Sequence, residues 1–195
     1  MRRLGLIVEG RGEQMALPGL VQRLMHRREA YDWHVATNPV RIDRGRFSQR
    51  FDDFPRAVRL SASTHDATLV VLDSDDDDPH DLEESLTRRA QECAGHRRTL
   101  VTPAVREFES WFLASLPELA GQGAVRPDAS CARAPESYAG AKGVFASCLS
   151  TGTYTETVDQ KRYARLMDLD AAAARSPSFA RFVRAIDEIV DTEAP

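Results

Sequence analysis

The sequence predicts an α/β protein, with a mostly parallel central sheet flanked by helices over residues 1–116 and a helical part over residues 117–195. Three observations predict it. Short unbroken apolar runs recur, Leu4–Val8 and Ala67–Leu72 most clearly, as expected of strands buried on both faces. Segments with apolar residues at helical spacing alternate with them, as in a parallel sheet with crossover helices. After Pro117 the strand signals cease: residues 121–135 are rich in Gly, Pro, Ala and Ser, and the remainder of the chain is helical in pattern.

Taken in order, Leu4-Gly5-Leu6-Ile7-Val8 reads as a first strand, ending at Glu9-Gly10. Residues 13–28 read as a helix from Met15, Leu17, Leu20, Val21, Leu24 and Met25, with Pro18 in its first turns or kinking it. Residues 34–42 are extended but interrupted by Pro39, which suits a sheet edge. Residues 47–60 can form a helix, with Pro55 as its weak point, before the strand at 67–72. A helix over 81–94 closed by Gly95, a strand over 99–105 and a helix over 107–116 bearing Phe108, Trp111, Phe112 and Leu116 complete the core. Further helices are expected near 138–149, 159–167 and 177–190, the last capped by Ser176.

A chain of 195 residues makes one large domain, or one with a helical appendage packed on it. At 42% apolar and 29% charged it reads as well solvated, and no apolar run approaches the roughly 20 residues of a membrane span. The N-terminal apolar run is cut short by Glu9, unlike a signal peptide, so a cytoplasmic protein is expected. Cys93, Cys131 and Cys148 are too scattered for a disulfide framework or a zinc site. The net charge of −4 does not advertise a polyanion binder, but its distribution does. Arg41, Arg44, Arg46, Arg50, Arg56 and Arg59 precede a densely acidic stretch over 73–84, and a phosphodiester enzyme must attract a polyanion while holding a cation. Of 26 basic residues only Lys142 and Lys161 are lysines, a bias expected of a GC-rich genome, and this singles them out as candidates for a role that a compact ammonium fills and arginine does not, with chance survival as the alternative.

Two motifs carry the expected chemistry. In Glu9-Gly10-Arg11-Gly12-Glu13 a glutamate stands at the carboxyl end of the first strand, where open α/β sheets bind ligands. Its glycines permit a tight turn, and Glu13 opens the next helix. It is not a phosphate-binding P-loop, because the GK[ST] is missing. In Asp73-Ser74-Asp75 an extended strand end would point both carboxylates to one side, where a hard cation relieves their repulsion. Asp76, Asp77 and Asp78 are read as loop solvation or helix capping. Of Glu107 and Glu109, about 200° apart on a helix, only one can face the site, and Glu109 is preferred.

This ordered set, with Pro135-Glu136, Lys142, the Tyr154–Lys161 stretch and Ser176-Pro177-Ser178-Phe179, resembles the Toprim-like proteins grouped as domain of unknown function 4276, related to overcoming-lysogenization-defect nucleases. The resemblance implies a Toprim-like fold, Glu9 as the catalytic glutamate, Asp73 and Asp75 as metal ligands, Glu13 and Glu109 as further carboxylates, and Lys142 or Lys161 as the basic residue. The run of aspartates after the DxD departs from the usual glycine or small loop. The function expected is a Mg²⁺- or Mn²⁺-dependent nuclease or phosphoryl-transfer protein acting on DNA or RNA, in bacterial antiphage defence, with Arg11, Arg41, Arg44, Arg46 and Lys161 on nucleic acid. The alternative is a non-catalytic binding or effector subunit working with a separate ATPase, since the chain has no nucleotide loop of its own.

Overall fold

The computed structural model describes residues 1–95 and 97–191. In chain order its elements are β1 (Arg2–Val8), α1 (Arg11–Arg27), β2 (Trp33–Val35), β3 (Val40–Arg41), α2 (Asp53–Thr64), β4 (Ala67–Asp73), α3 (Pro79–Ala94), β5 (Arg98–Ala104), α4 (Glu109–Ala114), α5 (Leu116–Leu119), α6 (Ala141–Ser147), α7 (Glu156–Leu166), α8 (Leu169–Arg175) and α9 (Pro177–Asp191). Short 3₁₀ turns lie at Arg44–Phe47 and Pro135–Ser137.

The described residues form a five-stranded parallel sheet in the order β2-β1-β4-β5, with β3 also on β1. Residues Arg2–Leu4 register with β2 and Ile7–Val8 with β3, so β2 and β3 are two lengths of one edge, broken near Pro39 as the sequence leads one to expect. From β1 the chain goes first to that edge and only later to β4 on the other side. The β1–β4 boundary is therefore a topological switch point, and a crevice opens where adjacent connections leave in opposite directions.

Alternation along each strand feeds two cores. Leu4, Leu6, Val8, Leu69 and Val71 face a cluster that takes in α1, α4 and the helices after residue 140. Ile7, Val70, Leu72 and Val101 face a second cluster with Phe54 and Val58 of α2 and Leu86 and Ala90 of α3. On that second face Gly5 allows close approach: a Cβ there would lie 2.1 Å from Ser61 Oγ of α2. Among the described residues no helix is long and apolar enough to cross a membrane.

Several boundaries differ from the sequence expectation, each for a local reason. The first helix starts earlier, at Arg11, and passes through Pro18 without ending. The next begins at Asp53 instead of residue 47. Pro55 thereby falls in the first turn, where its missing N–H costs no helical hydrogen bond. The helix expected from 107 begins at Glu109, because Arg106 turns left-handed (φ 64°) and the Phe108 N–H is donated to Asp73. Pro79 opens α3 behind the Asp78 cap, two residues before the expected start. Sequence reading missed α8, which Asp168 caps by accepting from the N–H groups of Asp170 and Ala171.

The last helix has the expected cap, with Ser176 Oγ accepting from Phe179 N–H at 3.1 Å. One carboxylate reinforces it. Glu136 Oε1 accepts from the hydroxyls of Ser176 and Ser178 and from the Ser178 N–H, and Ser178 Oγ accepts in turn from Trp111 Nε1. Trp111 packs on Phe179 and Phe182, so this clamp fixes the C-terminal helix against the core. Glu136→Ala leaves buried serine groups unpaired and is expected to cost about 2 kcal/mol. Thermal denaturation followed by circular dichroism should then show a midpoint lower by roughly 4–8 °C. A change of less than about 1 °C contradicts the clamp.

Candidate metal centre

The switch point brings the strand-end acids together. Glu9 follows β1 and Asp73 ends β4, and Glu9 Oε2 accepts from the Asp73 N–H at 3.3 Å. Asp73 Oδ1 accepts from the Phe108 N–H at 2.8 Å, which ties the end of β4 to the start of α4. That helix opens with Glu109, 3% exposed. The first turn of α1 contributes Glu13, 6% exposed. The two glycines of the Glu9–Glu13 turn make this possible by lacking a Cβ. One at position 10 would sit 2.1 Å from Glu13 Oε2, and one at position 12 would sit 2.2 Å from Gln160 Oε1.

Gln160, on α7, is central and was not foreseen. Its Nε2 donates to Glu13 Oε1 at 3.2 Å and to Glu109 Oε1 at 2.9 Å. Tyr154 donates its hydroxyl to Glu109 Oε1 at 2.8 Å, and burial beside that carboxylate pushes its phenol pKa well up, so it stays a donor. The signal for Gln160 was present: it shares a helix face with the buried Tyr163, Ala164 and Met167 at i+3, i+4 and i+7.

Five carboxylates then crowd one another. Burial first, and the charges of Glu13, Glu109, Glu9 and Asp75 next, push the Asp73 carboxyl far above the usual range. Glu13 and Glu109 are also raised, chiefly by burial. Burial lifts Glu9 to about 7, although Arg44 and the Asp73 N–H pull the other way. Glu13 Oε2 is buried with no hydrogen-bond partner. A buried, unpaired carboxylate oxygen among other acids is costly alone, and an all-oxygen set is what a hard divalent cation takes. The acids are neighbours, not a closed cage: among the described residues no group of three such side chains forms a ready ligand set. In donor chemistry the residues fit the ion.

Asp75 behaves differently from the strand-end alternation expected of it. The strand stops at Asp73, and Asp75 is left-handed, with φ 49°. Its N–H donates to Arg106 O at 3.0 Å while the Arg106 N–H donates to Ser74 Oγ at 2.9 Å, so two left-handed residues on adjacent loops hold each other. The Asp75 carboxylate faces Arg44 Nε at 3.2 Å. Beyond it Asp76 pairs with Arg106, Asp77 with Arg44, and Asp78 caps α3.

Cations flank the acids on both sides. Arg44 Nε lies 4.0 Å from Glu9 Oε2, so Arg44 spans Glu9, Asp75 and Asp77. On the other side Lys142 pairs through Nζ with Glu156, which raises its pKa, and its N–H donates to Glu107 Oε2 at 2.8 Å. Lys161 points away, into an open groove along α7 with Val158, Arg162, Arg165 and Leu166. Arg11 is exposed at the start of α1. Arg41 and Arg46 pair with Asp43 and Asp53 and line a groove with Arg56 beside β3, apart from the acids.

Fold and site together define a parallel α/β protein with an acidic, partly buried centre at the switch point of its sheet. The chain belongs to the family described as domain of unknown function DUF4276, whose model matches residues 8–187. Neither a curated protein nor a solved structure matches it.

The raised acids fix the sign of a pH effect. An acid whose folded pKa exceeds its unfolded value binds its proton more tightly when folded, so its stabilisation is complete below the unfolded pKa and lost as pH rises through the folded one. For Glu9 that window runs from 4.5 to about 7. The metal-free protein should therefore lose thermal stability across that range. Asp73→Asn, which removes the acid that desolvation and neighbouring carboxylates disfavour, should raise the midpoint at pH 8 by about 2–4 °C, for about 1 kcal/mol. A wild-type midpoint that climbs with pH over this window, or a variant less stable than wild type, contradicts the electrostatic account.

Proposed function

We propose that this protein is a Toprim-like, Mg²⁺- or Mn²⁺-dependent enzyme that hydrolyses nucleic-acid phosphodiesters. The observation that carries the reading is Asp73, half-buried among Glu9, Glu13 and Glu109 beside the buried, unpaired Glu13 Oε2. The placement of Glu9 and Asp73 on neighbouring strand ends matches the resemblance to the Toprim nucleases of overcoming-lysogenization-defect proteins.

In this reading Asp73, Glu13 and Glu109 would hold the ion, while Asp75, a ligand in the sequence pattern, faces Arg44 instead. A bound divalent ion supplies positive charge to the scissile phosphate and to the attacking water. Gln160 and Tyr154 occupy Oε1 of Glu109 and Gln160 also Oε1 of Glu13, which would leave the second oxygens of both available to the ion. Glu9, which retains solvent access at the mouth of the site, takes the proton of the attacking water. Lys142 and Arg44 bracket the phosphate with fixed charge. Lys161, Arg162 and Arg165 on the outer face of α7 offer a separate basic groove for the sugar-phosphate chain.

A second reading has its own support. Arg44 already neutralises part of the cluster, as in a Toprim-like binding or effector subunit that does no cutting itself and works with a separate ATPase in antiphage defence. Incubation with supercoiled plasmid, single-stranded DNA and RNA in Mg²⁺ or Mn²⁺ separates the two. The enzyme reading expects metal-dependent cleavage that Glu9→Gln slows by about 10²–10⁴-fold. Cleavage that survives EDTA or the substitution unchanged overturns it, and no cleavage of any substrate favours the effector.

A further inference from the structure

The cluster is divided by charge. Its inner half, Asp73, Glu13 and Glu109, receives hydrogen bonds from neutral donors, the Phe108 N–H, Gln160 and Tyr154, and keeps the unpaired Glu13 Oε2. Its outer half, Glu9, Asp75 and Asp77, faces the Arg44 guanidinium. Arg44 is built into place. It opens the 3₁₀ turn after β3, and that turn is pinned by Phe47, 2% exposed and packed on Phe54 at 5.5 Å between ring centroids. Arg89 of α3 holds the same turn from below by donating to the carbonyls of Phe47 and Ser48. The Arg44 side chain is only 26% exposed. Three carboxylates from two elements converge on it, and Asp75 does so from a left-handed backbone.

We infer that Arg44 is the resident cation of the outer half and limits the centre to one divalent ion, which rests on the divalent-ion reading above. A site using two metals holds them about 3.5–4 Å apart, so a second ion would need carboxylates beyond the inner three, and the nearest are Glu9 and Asp75. Here that charge belongs to the protein. A guanidinium cannot be titrated away at ordinary pH, and it presents donors in a planar fork suited to phosphate oxygens. The centre therefore keeps a fixed positive charge for an incoming phosphate at any metal concentration. It also competes with a metal for Glu9 and Asp75, so divalent affinity is lower than the acids alone would give.

Isothermal titration of the full chain with Mn²⁺, free of substrate, tests this without reference to turnover. Wild type should take one Mn²⁺ per chain. Arg44→Gln should take a second, with the first bound about tenfold more tightly once the competing charge is gone. Arg44→Lys keeps the charge and should stay at one. Two ions in wild type, or an Arg44→Gln protein that still takes one with affinity within about twofold of wild type, overturns the role of Arg44 while leaving the metal centre standing. No Mn²⁺ bound by wild type or by either variant overturns the metal centre itself, and this inference with it.

Discussion

The feature on which the rest depends is the crowding of other carboxylates around the half-buried Asp73 at the carboxyl ends of β1 and β4. Two like charges about 4 Å apart at an effective dielectric of about 20 repel by about 4 kcal/mol, enough to open a loop or bind protons. The surrounding structure is arranged to withstand that repulsion. Gly10 gives Glu13 room to fold back, Gly12 admits Gln160, and Gln160 ties the carboxylates of two helices with one amide. The left-handed pair Asp75 and Arg106 locks the two loops that frame the pocket. Strain, burial and like charge coincide at one place, as expected where a fold gives up stability for function.

The helices after residue 117 contribute directly to this centre. Gln160 and Tyr154 come from α7 and the loop before it, and Lys142 from α6. They are held in position by packing remote from the acids. Phe145 and Tyr163 pack on Phe112, Trp111 on Phe179 and Phe182, and Arg23 of α1 donates to the carbonyls of Ala164 and Met167 at the end of α7. One face of α7 thus supports the carboxylates, and the other presents Lys161, Arg162 and Arg165 to solvent. This joins the acidic centre and the basic surface through a single rigid element.

Much of this was legible in the sequence, because buried strands and strand-end acids leave local signals. The runs ending at Glu9 and Asp73 give the two central strands, and Pro39 gives the broken edge. The Ser176 cap and the choice of Glu109 over Glu107 for the interior follow from local rules of the same kind. What escaped depends on contacts distant in the chain. Gln160 reaches Glu13 across 147 positions, and its helical spacing from Tyr163, Ala164 and Met167 marks it as inward-facing without naming its polar partner. Asp75 reads locally as a continuation of the strand, but a left-handed turn set by Arg106 on the next loop sends its carboxylate to Arg44. Of the arginines between 41 and 59, local pattern cannot say which one turns inward. Arg44 does so because Phe47 and Arg89 fix the turn that carries it.

The role proposed for these acids is to hold a cation beside Asp73. Anomalous scattering from a crystal soaked in Mn²⁺ tests it most directly. The predicted result is one strong peak in contact with Asp73 and Glu13, with Glu13 Oε2 no longer unpaired. A saturating soak that leaves that position without a peak, or places manganese only on the exposed Asp76–Asp78 loop, contradicts it.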